Sequence, residues 1–459
     1  MLEVRKHRHE LSYGEVRELI QLHTKNQNRM TRLLEEYKGN NAEISNMERK
    51  AEGKADNRIS HAFPYLISST FCGLMNKKPN IICELQEVVD DVLKYNDADK
   101  VNTSNLTDMS VWGSSVEQYY LDKKGNIRFK RIDARDVIIV KDITIEADTF
   151  LVIKHWKVDG LGEEKMEFVE LYYEDKVVRY FENKDGEVSN VTEESLFFGD
   201  IPFTVYKNNE LMLGDFERIL PIVGAYNKYQ SEVLNGTQDI TNSLMIISGA
   251  TLSDEQLKQV KSMRVLADEN SIDAKMVFND IPFNEAYLSQ LRKDIFALSG
   301  CVDLTGESVG NLSGSALKQR LVNMLYIASV KANYLKEGYL RRIELILNIH
   351  ALTNNINVDE IIKNTEITIN YNTLEDSTEM LNLVQGLDGI VSKETQLSLL
   401  GEIIVSVQDE IDKLDREKEE AMANFSFMQD MNGHLMQNED EPLDDGDEDE
   451  EEQTEELWK

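Results

Sequence analysis

From Ser315 to about His350 the chain carries one uninterrupted helical pattern, and that length limits the folds open to it. Leu317, Leu321, Leu325, Ala328, Leu335, Tyr339, Ile343, Ile346 and Leu347 recur at helical spacing behind a capping serine at Ser315. At 1.5 Å per residue this is a rod of roughly 50 Å, too long for one small domain to cover, with Gly338 the expected bend. The stretch before it, SGCVDLTGESVGNLSGS from Ser299 to Ser315, holds Gly300, Gly306, Gly310 and Gly314 and is expected to be a loop between two helices. The first of those helices is Asn284 to Leu298. Tyr287, Leu288, Leu291, Ile295 and Leu298 form its apolar side, and Glu285, Ser289, Arg292 and Lys293 its polar side.

The run GNLSGSALKQRL, Gly310 to Leu321, closely resembles the loop-to-long-helix junction of the portal proteins of tailed double-stranded DNA bacteriophages, in particular long-tailed phages of Gram-positive hosts. Three further stretches carry the resemblance, which spans roughly residues 57–372. Asn57 and Arg58, followed by an apolar helix and then Gly73, Lys78 and Pro79, match one family pattern. Asp133, Arg135, Val137, Ile138 and Asp142 match a strand-turn-strand signature, with Ala134 where the family usually has proline. Asn208, Asn209, Glu210, Gly214, Asp215, Phe216 and Glu217 resemble the turn entering the first channel helix, and Gly224 stands within that helix where the family often has aspartate.

The resemblance implies a mixed α+β subunit divided into named parts. Residues 1–213 would form a wing of helices and β meander, 214–242 a first stem helix, 243–282 a small α/β clip and 283–300 a second stem helix. Residues 301–314 would be the channel loop, 315–373 the long wing helix and a strand, 374–438 a helical crown and 439–459 a disordered acidic tail. It further implies a ring, twelve copies being expected, at one capsid vertex. Double-stranded DNA would be packaged and ejected through its centre without sequence readout. Partners would be the large terminase subunit, a head-tail adaptor, and the major capsid and scaffolding proteins, and the protein would be assembled in the host cytoplasm. The loop residues Thr305, Gly306, Glu307, Ser308, Val309, Gly310, Asn311, Leu312 and Ser313 would touch the duplex, and Lys228, Arg292 and Lys293 would line the stem.

Charge bears on that expectation. The net charge is −34, and taking away the thirteen acidic residues between Glu439 and Glu456 still leaves −21. Such a chain does not grip phosphates by counterion release, whereas repulsive walls would suit a channel through which DNA must slide. Plain solubility explains the same acidity, and an acidic oligomeric capsid or adaptor protein without a channel remains the alternative reading. Neither a signal peptide nor an apolar run long enough to cross a bilayer is present, so no membrane partner is expected.

Along the chain, Tyr13 to Tyr37 reads as a helix with Val16, Leu19, Ile20, His23, Leu33 and Leu34 inward. A polar linker follows, then a helical stripe of Ile59, Phe63, Leu66, Ile67, Thr70 and Phe71. Val88 to Tyr120 reads as further helix. Ile127 to Asp133, Val137 to Val140, Thr149 to Trp156, Met166 to Tyr173, Val177 to Glu182 and Ile201 to Tyr206 read as an antiparallel meander. Pro221 opens a helix with Ile222, Tyr226, Tyr229 and Val233 on one face. Residues 243–282 read as a strand, a short helix and two strands. After a strand from Glu366 to Tyr371, residues 374–431 read as helix in three pieces, with Ile403, Val407, Ile411 and Leu414 in heptad-like register.

No catalytic constellation emerges. GESVGNLSGSALK lacks the GK[ST] ending of a phosphate-binding loop, so Lys318 is not expected to hold a nucleotide. Cys72, Cys83 and Cys301 have no metal-ligand or disulfide spacing, and the histidines are scattered apart from His7 and His9. A thiol enzyme built on Cys301 would need a positioned histidine, which neither His155 nor His350 obviously supplies. No cofactor, metal or catalytic residue is expected.

Overall fold

The computed structural model describes residues 1–48, 50, 54–159, 165–241, 245–248, 253, 255, 273–276, 285–303, 314–354, 356–372, 386–387, 389–399, 407 and 410–418. Two compact units are present, Met1–Thr373 and Leu374–Lys459.

In the first unit, α1 (Tyr13–Tyr37) begins with a capping box in which Ser12 and Glu15 satisfy each other's backbone amides. Its apolar stripe lies on a six-stranded sheet ordered β1-β5-β6-β7-β8-β9, made of Leu2–Arg5, Val137–Lys141, Thr149–Asp159, Lys165–Tyr172, Lys176–Glu182 and Val188–Ser195. Strands β5 to β8 are four runs of the expected meander, β9 extends it unforeseen and β1 joins in parallel beside β5, whereas the expected runs Ile127–Asp133 and Ile201–Tyr206 fall in a separate sheet. Val16 and Leu19 meet Ile138, Val140, Leu151, Ile153, Val169, Leu171 and Tyr180 in one core.

A larger core is built around the helices α2 (Ala42–Ser45), α3 (Phe63–Met75), α4 (Gln86–Tyr95) and α5 (Ala98–Trp112), and the three-stranded sheet β10-β3-β4 (Phe203–Lys207, Ser114–Leu121, Ile127–Ile132). The expected helix from Val88 to Tyr120 therefore ends eight residues early. Trp112, Val116 and Tyr119 imitate helical spacing, but Gly113 takes φ 85° and a Cβ there would lie 2.0 Å from the Met212 carbonyl oxygen. From Ser114 the chain is strand, with Glu117 fully buried.

The helices continue with α6 (Leu220–Thr241), α7 (Glu285–Ser299), α8 (Gly314–Ala351) and α9 (Val358–Asn364). Helix α8 is the expected rod. Met324, Ala328, Ala332, Leu335, Tyr339, Ile343 and Leu347 are all buried, and Arg342 and Lys331 are buried among them. Gly338 seats a neighbour: a Cβ there would come within 2.2 Å of the Tyr206 ring, which packs edge-on against Tyr339. A two-stranded pair, β2 (Asn80–Ile82) with β13 (Glu366–Thr368), was half foreseen, since only β13 showed in the sequence. Between α6 and α7, β11 (Met245–Ser248) pairs antiparallel with β12 (Asp273–Met276); the expected helix after Ser253 and the strand near Arg264 lie outside the described residues. In the second unit Lys393–Leu399 is α10 and residues 410–418 are helical. The acidic tail lies outside the described residues.

One buried polar chain can be read to its protons. His155 Nδ1 lies 2.7 Å from Glu167 Oε1, and His155 Nε2 lies 2.9 Å from His23 Nδ1. Because the carboxylate can only accept, His155 donates to it from Nδ1, His23 donates to His155, and His23 Nε2 is left without a partner. Burial, then the Met1 amino group and His155, hold the His23 imidazole neutral down to about pH 3. A base whose folded pKa is depressed contributes stability that is present above its ordinary value of about 6.5 and is lost as pH falls towards 3. Asp136 and Asp108, raised by burial to about 6 and about 7, act in the opposite sense, so the comparison must isolate His23. The stability difference between the natural chain and His23→Gln, from urea unfolding, is expected to shrink by about 1 kcal/mol per pH unit below pH 6.5. A difference that stays constant from pH 7 to pH 5 would refute this assignment of the protons.

Candidate functional site

Helices α6 and α7 pack against each other in antiparallel fashion. Tyr229 meets Tyr287 edge-on with ring centroids 5.2 Å apart, and Tyr226 and Phe296 both pack on Phe63 of α3. Leu288 and Ile295 are buried in the seam as the amphipathic pattern expects and Phe296 joins them, whereas Tyr287 and Leu298 of the same expected apolar side are exposed.

A second face of α6 is covered by a strap. Residues 57–61 run extended, so α3 begins only at Phe63 and not at Asn57. Asn227 Oδ1 accepts the His61 N–H (3.0 Å), Ser231 Oγ the Ile59 N–H (2.9 Å) and Asn235 Oδ1 the Asn57 N–H (2.6 Å). The match is geometric: four helical residues rise about 6 Å, and two extended residues span nearly the same. Alternate backbone amides of the strap thus find one acceptor per helical turn.

With those faces taken, Pro221, Ala225 and Lys228 form an exposed stripe on α6, and Ala286, Gln290, Lys293 and Ala297 an exposed stripe on α7. Lys228 and Lys293 are thus placed on accessible surfaces. Arg292, its side chain 38% exposed, is engaged within the chain as well: its guanidinium donates to the carboxylate of Asp303 at 2.8 and 3.1 Å, which raises its pKa further, and lies over the Phe296 ring. That fork takes two of the guanidinium's five N–H donors. The loop residues Thr305 to Ser313 lie outside the described residues, as does the side chain of Lys318.

Next to α7 there is an exposed apolar patch. Leu298 is 66%, Tyr326 67% and Val330 54% exposed. Ile327 joins them, because its Cδ1 occupies the space a Cβ on Gly300 would need.

The residues that carried the family resemblance prove to hold the frame of this site. Asp215 accepts hydrogen bonds from Ser110 Oγ (2.7 Å), Asn208 Nδ2 (2.8 Å) and the buried Lys331 ammonium of α8 (2.5 Å). Glu217 pairs with Arg29 of α1, and Asn209 closes the turn on Leu213. Arg58 donates to the Ser45 and Met47 carbonyls, and Arg135 grips Asp133 while Ala134 is fully buried between them. Only tertiary contact reveals Lys331 and the Asn227–Ser231–Asn235 column, though the i, i+4, i+8 spacing of short polar residues was a signal available in the sequence.

Nothing in this arrangement equips Cys301 for catalysis. It is buried, and burial pushes its thiol up to about 11, opposite to what a nucleophile needs. Among the described residues no group of His, Cys, Asp and Glu could hold a metal ion, and no described helix is long and apolar enough to cross a membrane.

Among the described residues, a strap-bound helix pair enclosing a two-stranded insertion is followed in the chain by one long helix. The model of the family described as "Phage portal protein, SPP1 Gp6-like" matches residues 17–423, and the chain belongs to that family. The portal protein of Bacillus phage SPP1 is 23% identical over 422 residues, covering 84% of this chain and 80% of that one. The portal protein of Clostridium phage phiCD119 is 24% identical over 307 residues, covering 60% and 67%. Among solved structures, a chain of the virion of a native gene transfer agent particle matches with a TM-score of 0.44 at 10% identity, covering 81% of this chain and 93% of that one. A chain of the neck of an empty particle of the same kind gives 0.42 at 13% identity. Membership makes this chain a portal protein and a virion component, and the family is structural, not enzymatic.

Proposed function

We propose that copies of this chain close into a ring, twelve being the expected number, at one vertex of a capsid assembled in the host cytoplasm, and that double-stranded DNA enters and leaves through its centre. In this reading residues 1–213 are the wing, 214–242 and 283–300 the stem, 243–282 the clip, 301–314 the channel loop, 315–373 the long helix with its strand, 374–438 the crown and 439–459 an acidic tail. Large terminase docks on the clip during packaging and the head-tail adaptor afterwards, while capsid and scaffolding proteins surround the wing.

The observation that carries the channel is the pair of exposed stripes on α6 and α7. In a chain of net charge −34, the stripes Pro221–Ala225–Lys228 and Ala286–Gln290–Lys293–Ala297 each present small or neutral residues and a single lysine, bordered by the carboxylates of Glu232, one turn on and paired with Lys50, and of the exposed Glu285. Repeated around a ring, Lys228 and Lys293 supply weak, evenly spaced phosphate contacts in an otherwise repulsive tube, so the duplex is centred without being gripped. Arg292, partly exposed beside Asp303, is proposed to line the stem with these lysines.

The apolar patch of Leu298, Tyr326, Ile327 and Val330 fits the contact between neighbouring subunits, where such surface is removed from water. Light scattering after size exclusion is expected to find a particle of about 630 kDa, twelve chains of 52.7 kDa. Leu298→Glu with Val330→Glu should leave circular dichroism unchanged and collapse the particle to monomer. A double variant that still forms rings would remove the patch from the interface, and a natural chain that stays monomeric at high concentration would count against self-assembly.

A further inference from the structure

The six-stranded sheet ends in two strands, β1 (Leu2–Arg5) and β9 (Val188–Ser195), each paired on one side only among the described residues. Such an edge offers a row of unpaired backbone N–H and C=O groups, and proteins commonly blunt it with proline, an inward charge or a bulge. On β9 the blunting is confined to one end, where Asn190 stands at φ 51° and the pairing with β8 slips between Arg179 and Phe181. Beyond it the strand pairs regularly from Thr192 to Ser195, and Val191, Thr192, Glu193 and Glu194 are all exposed. The two edges also run the same way, because β1 is parallel to β5 and each step from β5 to β9 is antiparallel. An edge that meets its own kind across a twofold axis closes a dimer, whereas two different edges of one direction can pair head to tail and keep every copy in the orientation a ring requires. At about 4.8 Å per strand, six strands and one joint repeat every 29 Å or so, and twelve repeats close at a radius of about 55 Å, wide enough for a central channel.

The faces of the sheet decide the register. Leu2 and Val4 pack towards the core beneath α1, so Glu3 and Arg5 lie on the opposite face, where Glu3 pairs with Lys141 and Lys207. On β9, Thr192 stands across from Arg179 and Glu194 is paired with it at 2.6 Å on that opposite face, which puts Val191 and Glu193 on the α1 face. Continuous faces then set Leu2 opposite Val191, Glu3 opposite Thr192, Val4 opposite Glu193 and Arg5 opposite Glu194. A slip of one residue exchanges the faces; a slip of two either sets Glu3 against Glu194 or runs β1 into the irregularity at Asn190. The charges favour the same register. Arg5 is exposed, stands beside the like-charged Lys141 across the ladder and makes no ion pair with a described residue, while Glu3 is already divided between Lys141 and Lys207.

We propose that β1 of one copy adds in parallel to β9 of its neighbour in this register, so that the six-stranded sheets join head to tail around the ring. Glu194 of one copy supplies the carboxylate that Arg5 of the next lacks, and Leu2 covers the exposed Val191. The joint rests on the ring proposed above and is separate from the apolar patch at Leu298.

The experiment uses the full chain. Val4→Cys with Glu193→Cys, treated with a short bis-maleimide, is expected to give a ladder of bands running past dimer on a denaturing gel. Neither single variant should do so, nor should the natural chain, whose Cys83 and Cys301 are buried and Cys72 half-buried. Glu194→Arg should raise the concentration at which rings come apart about tenfold with circular dichroism unchanged, and adding Arg5→Glu in the same chain should return it close to the natural value. That rescue has no route within one subunit, where the two residues sit at opposite edges about 24 Å apart. Light scattering separates failure of the joint from failure of the ring. Rings without a cross-linked ladder, a ladder that stops at dimer, normal assembly by Glu194→Arg, or a charge swap without rescue would each overturn the edge joint alone. A natural chain that stays monomeric at every concentration would overturn the ring and the joint with it.

Discussion

Arg342→Ala is expected to lower stability by about 3–5 kcal/mol. Glu117 is fully buried on β3, and besides Arg342 its carboxylate accepts from Asn105 Nδ2 (2.9 Å) and the Tyr119 hydroxyl (2.5 Å). Truncation leaves that carboxylate charged in the core with two neutral donors and no counter-ion. Arg342 also lies over Phe129 at 4.7 Å and Tyr339 at 5.1 Å, so the aliphatic and ring packing around it goes as well. Guanidinium chloride unfolding reads the loss. Adding Glu117→Gln to Arg342→Ala should return part of it, because the residual charge is then gone, though Asn105 and Tyr119 keep weaker acceptors. Equal stability for the single and double variants would mean that the uncompensated charge is not the cause.

Shortening or stiffening the loop from Thr305 to Ser313 is expected to leave ring assembly intact and sharply reduce packaged or retained DNA. The expectation follows from the proposed channel. The loop joins α7, anchored by Ile295 and Phe296, to α8, anchored from Met324 onward by its buried stripe, so neither anchor depends on the loop's own residues. Deleting Glu307 to Asn311 and replacing Gly306 and Gly310 by alanine test length and backbone freedom separately. Particle mass and packaged DNA per particle are the two readings. Normal packaging by both variants would refute the role given to the loop, and failed ring assembly would show that the loop serves the subunit contact instead.

Periodicity and turn chemistry made much of this molecule legible. Helix α1 runs over the residues its stripe marked, the meander β5 to β8 falls within a residue or three of its β-branched runs, and α8 spans the rod expected from Ser315. The candidate site was legible in its order of helix, insertion, helix and long helix, less so in its chemistry. Arg292 shares the polar side of α7 with Lys293, but its contact with Asp303 was not legible. That Asp303, eleven residues on, would fold back to hold it is decided by the turn at Gly300, where φ is 70°.

By itself, then, the sequence determined most of the helices and strands, though not β1, β2, β3 or β9, and that the chain belongs with portal proteins, since local spacing of apolar residues and short motifs act within a few turns of backbone. Tertiary structure alone decided what the charged and polar residues do. Arg342 is separated from Glu117, Lys331 from Asp215 and Asn57 from Asn235 by more than a hundred residues, and the cost of burying each group is met by a partner that no local pattern announces. Folding therefore sets which cations are spent inside the subunit and which, like Lys228 and Lys293, remain on its surface.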